Sequence, residues 1–161
     1  MIARYAAPLA LALLSLGACN KAPEAPAVAQ TQGGALITGG RLVLPAVAGN
    51  PGAAYFTLSN QAASATSITS VEIAGAKSAE MHVTSGATMD TLQKLDVAAG
   101  ESVLFAAGGK HVMVFGLPDN IKAGASVEIT LRTADGKLIT GQLIAEGAGG
   151  AMASGHDGMK M

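Results

Sequence analysis

Three histidines and seven methionines are spread unevenly over the 161 residues of this chain. Setting aside the initiator, the methionines are Met81, Met89, Met113, Met152, Met159 and Met161. Every histidine has a Met within three residues: Met81-His82, His111-Val112-Met113 and His156-Asp157-Gly158-Met159. Thioether sulfur is a soft, polarisable donor and neutral imidazole a borderline one. Together they suit copper(I), whereas zinc favours thiolate, imidazole or carboxylate, and calcium and magnesium favour oxygen. Methionine used only to fill core gaps would be shared among all the elements, yet none lies between residues 2 and 80. On residue chemistry alone, one core Met per strand with surface histidines remains the alternative.

The single cysteine adds a second constraint. Residues 1–18 carry Arg4 followed by an apolar run from Ala6 to Leu16, broken by Pro8 and Ser15. That is the pattern of a secretory signal, too short for a stable membrane span. Leu16-Gly17-Ala18-Cys19 resembles the bacterial lipobox, which implies lipidation of Cys19 as the first mature residue. A lipid-capped thiol leaves no thiolate for catalysis or for a blue-copper centre, which needs a Cys ligand. The formal net charge is −1, from ten basic and eleven acidic residues; losing Arg4 with the signal leaves nine against eleven, or −2. Neither value gives the electrostatic footprint of a nucleic-acid binder.

The elements that must position the His and Met residues read as strands. Residues 19–35 form the lipidated Cys and a flexible tether rich in Ala, Pro, Gln and Gly. Residues 147–161 are Gly-rich and read as a disordered tail containing His and Met. Between them, 36–146 shows short Val, Ile, Leu, Thr and Phe runs punctuated by Gly, Asn, Asp and Pro. Strands are expected at 36–44, 53–60, 67–74, 78–84, 91–97, 101–106, 110–116, 125–133 and 137–145, with Asp135-Gly136 turning a hairpin. No stretch holds a helical period, so the fold class is all-β: an antiparallel β-sandwich or barrel in a single domain. Strand parity puts His111 and Met113 on one face with Val112 and Val114 on the other. It likewise turns Met81 toward the core and His82 outward with Glu80 and Thr84. Met89 falls beside a Ser85-Gly86-Ala87-Thr88 turn.

These residues resemble the PCu(A)C family of periplasmic copper chaperones. The family pattern is a His, a Met after a short loop, twenty-one residues and then His-x-Met; here Met89, twenty-one residues and His111-Val112-Met113 match it. Gly52 to Asn60, Ala79-Glu80-Met81-His82, Val97 to Glu101 and His111 to Leu117 also resemble the family's strands. One departure is a shorter stretch between His82 and Met89, where only six residues intervene. The resemblance implies a cupredoxin-like fold and an exposed copper(I) site of His82, Met89, His111 and Met113. It implies delivery of copper in the bacterial envelope, on the periplasmic or extracytoplasmic side. The expected recipients are a cytochrome c oxidase subunit, through its dinuclear copper centre, or a thiol-bearing assembly factor. Some members carry a His- and Met-rich C-terminal extension, which makes Met152, His156, Met159 and Met161 a candidate second site, for copper(I) or copper(II).

A catalytic reading finds no support in the sequence. No spacing sets a Ser beside a His as in a nucleophile elbow, and the acids are scattered singly over strand faces. Two other readings stay open: an envelope lipoprotein that sequesters copper for tolerance, and a metal-free structural lipoprotein.

Overall fold

Alternation decides the local structure. In Gly52–Asn60 every second residue is buried, and Ser126–Thr133 and Leu138–Glu146 repeat that pattern. Side chains of period two leave one face of each strand for a core and the other for solvent. The computed structural model describes residues 34–149. Cys19, the segments around it and the candidate tail ligands Met152, His156, Met159 and Met161 lie outside the described residues.

Ten strands and no helix make up the described residues. They are β1 (Ala35–Val43), β2 (Gly52–Asn60), β3 (Thr66–Ile73), β4 (Ser78–Ser85), β5 (Thr88–Thr91), β6 (Leu95–Val97), β7 (Ser102–Phe105), β8 (Lys110–Phe115), β9 (Ser126–Thr133) and β10 (Leu138–Glu146). All belong to one sheet in the order β5-β4-β8-β7-β2-β1-β10-β9-β3-β6. The sheet curls around a core that includes Leu42, Phe56, Leu58, Ile68, Phe105, Val112, Ile129, Leu131 and Leu143. Phe56 and Phe105 stack at its centre with ring centroids 4.3 Å apart. This is the all-β architecture expected from the sequence. Most pairings are antiparallel, but β1 runs parallel to β10 and β7 parallel to β8.

Two stretches differ from the sequence expectation. The run 91–97 is not one strand. Its first residue closes β5, which folds back on β4, while Leu95–Val97 forms β6 and pairs with β3 at the far end of the sheet order. Thr91 and Leu95 thus serve opposite ends of the sheet order, a switch that local composition does not encode. Met89, outside every expected strand, lies on β5, because Gly86 and Ala87 alone connect β4 to β5. Gly86 has φ 61°, and glycine at the first loop position is what a type II′ hairpin requires.

Candidate metal centre

His111 owes its setting to an interruption. β7 and β8 both pair antiparallel with β2, β7 along Phe56–Ser59 and β8 along Gly52–Ala54. They are two halves of one strand line, from which residues 106–109 loop out. The loop is closed by Ala106 N–H donating to the Lys110 carbonyl at 2.7 Å and Gly109 N–H to the Ala106 carbonyl at 3.1 Å. Gly108 sits at φ 78°, a left-handed conformation that a side chain would strain. The loop leaves the Gly109 carbonyl free to accept two hydrogen bonds: Thr84 N–H at 3.0 Å and His111 Nδ1–H at 3.0 Å. His111 is thereby held as the Nδ1–H tautomer, and its Nε2 keeps a lone pair.

The β4–β8 register sets His82 directly opposite His111, with ring centroids 6.0 Å apart. The same register puts Glu80 opposite Met113. On the other flank, β5 brings Thr91 opposite His82 and Met89 opposite Thr84. Residues opposite one another across an antiparallel ladder share a face, and diagonal neighbours about 7–8 Å apart remain within reach of long side chains. One face therefore carries Glu80, His82, Met89, His111 and Met113, and His82 is its hub: His111 lies beside it, Met113 diagonally on β8, Met89 diagonally on β5. The six-residue stretch after His82 thus keeps Met89 on the His82 face. Met81, by contrast, is 3% exposed in the core, opposite Val112, as strand parity requires.

Exposure across this face is graded. His111 is only 6% exposed and Met89 is 54% exposed, while the His82 side chain is 13% exposed. The imidazoles are recessed rather than displayed, a departure from the exposed site expected from sequence. Both histidines stand on strands with neighbours on each side. His82 Nε2 lies 3.3 Å from Glu80 Oε2, and His82 Nδ1 is buried without a partner. Among the described residues no three His, Cys, Asp or Glu side chains are grouped to hold a metal ion. A groove of about 580 Å³ runs along residues 70–79 with Glu128 and Thr130, and no His or Met lines it.

Two participants escaped the sequence reading. The Gly109 carbonyl was hidden because a backbone acceptor has no residue signature, although a Gly-Gly pair just before a candidate ligand is a usable signal for a bulge. Glu80 was visible by parity with His82 but had no assigned task.

A family model described as "Putative lipoprotein LpqE-like" matches residues 35–144, which is more than half of the chain. The chain belongs to this LpqE-like, PCuAC-type family. A relative from Leifsonia xyli subsp. xyli, likewise named as a lipoprotein (Lxx21020), is 29% identical over 137 residues, 78% of this chain and 80% of that protein. Among solved structures, the LpqE-like chain matches the copper-bound PCuAC domain from PmoF2 with a TM-score of 0.63 and 19% identity, over 74% of this chain and 97% of that domain. It also matches the solution structure of CuI-DR1885 from Deinococcus radiodurans with a TM-score of 0.54 and 26% identity, over 68% and 78% of the two chains. The cupredoxin-like PCuAC fold of the LpqE-like chain is thus shared with domains solved with copper.

Proposed function

We propose that this LpqE-like protein is a copper(I) carrier of the bacterial envelope, anchored through Cys19. It takes up the ion between His82, His111 and Met113 with Met89 as fourth donor, and passes it to a receiving protein. The observation that carries this reading is the β4–β8 register, which sets the two imidazoles side by side with Met113 on their face, while the β4–β5 register adds Met89 to that face. The copper-bound PCuAC domain from PmoF2 and CuI-DR1885, which share this fold, support copper as the ion. Each Met supplies a soft sulfur and each His a neutral nitrogen, so protonation of the imidazoles at low pH competes with the ion.

The ion is cargo, and the chain's own residues do three things to it. His82 and His111, seated in the sheet, fix two donors at the strand spacing. Met113 adds a third from the same rigid strand as His111. Met89 stands toward solvent, which leaves an incoming ligand from a partner room to replace donors one at a time. The receiving group proposed is the dinuclear copper centre of a cytochrome c oxidase subunit, reached directly or through a thiol-bearing factor.

Competition against a chromogenic copper(I) chelator tests the site. The parent should withdraw copper(I) from the chelator, and His82→Ala or His111→Ala should weaken binding by about tenfold or more, the size of effect seen even for outer partners of metal ligands. Equal affinity in both variants and parent would sink the assignment. Transfer to a copper-free oxidase domain separates delivery from sequestration: a loaded chain that never gives up its ion to any acceptor is a store.

A further inference from the structure

The two histidines are held by different outer partners at different nitrogens. His111 donates Nδ1–H to the Gly109 carbonyl at 3.0 Å, so its free lone pair is on Nε2. His82 is arranged the other way round. Its Nε2 faces Glu80 Oε2 at 3.3 Å. A carboxylate can only accept, so this contact puts the His82 proton on Nε2 and the lone pair on Nδ1. That Nδ1 is buried with no hydrogen-bond partner, a standing that Glu146 Oε2 alone shares among the described residues, and a buried acceptor left unpaired is unusual enough to need a reason.

We propose that Glu80 is a positioning residue for the metal site: it fixes His82 as the Nε2–H tautomer so that Nδ1 is the donor offered to the ion. The inference rests on the copper(I) reading above. A ligating histidine commonly donates its other N–H to a carboxylate or a backbone carbonyl, which fixes the tautomer and ring orientation and raises the basicity of the ligand. This face contains one of each: a carboxylate behind His82 and a carbonyl behind His111. The ion then meets Nδ1 of one ring and Nε2 of the other, and binding gives the orphaned Nδ1 the partner it lacks. Backbone geometry keeps the arrangement local. Glu80 and His82 are two apart on β4, hence on one face, and Glu80 stands opposite Met113. Half of the Glu80 side chain is exposed, so replacing it leaves the core untouched.

The test uses ¹⁵N-labelled full chain, read by imidazole nitrogen spectra at a pH where the rings are neutral, together with copper(I) competition. In the metal-free parent and in Glu80→Gln, which keeps an oxygen acceptor, His82 should be protonated at Nε2. Glu80→Ala should redistribute the proton between the two nitrogens and lower copper(I) affinity by about 10- to 100-fold, with Gln restoring most of the loss. In the copper(I)-loaded parent, His82 should keep its Nε2 proton and coordinate through Nδ1. Coordination through Nε2, an unchanged tautomer in Glu80→Ala, or a Gln variant as weak as Ala would each overturn the role given to Glu80. If the parent binds no copper(I), the copper reading fails, and the metal-free spectra still decide whether Glu80 sets the tautomer.

Discussion

At the scale of the residue, neighbouring positions on β4 have opposite duties. Met81 is buried in the core and His82 looks out beside His111. That division was legible in the sequence, because a strand reverses its side chains at each step. What no spacing could show is that His82 meets His111 across the ladder, since register is set by the whole sheet and not by either strand. The two duties predict different responses to the same change. Met81→Leu conserves volume in the core and should cost less than about 1.5 kcal/mol, with copper(I) affinity unchanged. Met113→Leu should leave the fold as stable as before and lower copper(I) affinity by about tenfold or more, because only the sulfur is lost. Thermal melts and chelator competition on both variants read the contrast; a Met81→Leu variant that loses copper while Met113→Leu keeps it would reverse the assignments.

At the scale of the element, legibility follows the range of the signal. The β9–β10 hairpin was readable because everything that makes it is local. Thr133 N–H donates to the Lys137 carbonyl at 2.9 Å, Gly136 takes φ 80°, and Ala134-Asp135-Gly136 forms the loop. Three-residue hairpin loops ending in a left-handed glycine are a standard solution. The division of 91–97 into β5 and β6 was missed, although the phase breaks there: Leu95 and Val97 share a face that Leu92, three residues earlier, does not. The continuity of β7 with β8 was not readable, since it exists only relative to β2. Within the readable hairpin, Lys137 and the Thr133 hydroxyl, both hydrogen-bonded to the Asp135 carboxylate, lower its pKa from 3.8 to about 2. A depressed carboxylate stabilises the fold above its unfolded value, and that contribution disappears as pH falls from 3.8 toward 2. The carboxylate is exposed, so the effect is small. Asp135→Asn should therefore be slightly less stable than the parent at neutral pH and match it at about pH 2, as followed by the difference between their denaturation midpoints across that range. A difference that persists undiminished in acid would show that the ion pair and hydrogen bonds are not its source.

At the scale of the whole molecule, the all-β class and the shared face of His111 and Met113 were legible from composition and parity, but the parallel β1–β10 pairing was not. It joins residues 41–43 to 144–146, a separation over which no local pattern survives. Residues 147–161 hold the remaining His and three of the Met residues, and deleting them tests how the chain divides its chemistry. The truncated protein should retain the copper(I) affinity of the β4–β8 face and lose any copper(II) binding, checked by chelator competition and by paramagnetic resonance; loss of copper(I) binding as well would mean that the folded face cannot work alone. The sheet order itself has a kinetic consequence. β4 and β8 are each flanked on both sides, whereas β5 is the terminal strand and all four of its residues are exposed. Edge segments with few buried contacts open at lower free energy than the interior of a sheet. A copper ion on this face would be gripped on two sides by stiff strands and on the third by a strand that breathes. For the carrier proposed above, departure would then have a direction: the Met89 donor would let go first, and the gap would open to solvent on the β5 side, toward an incoming donor.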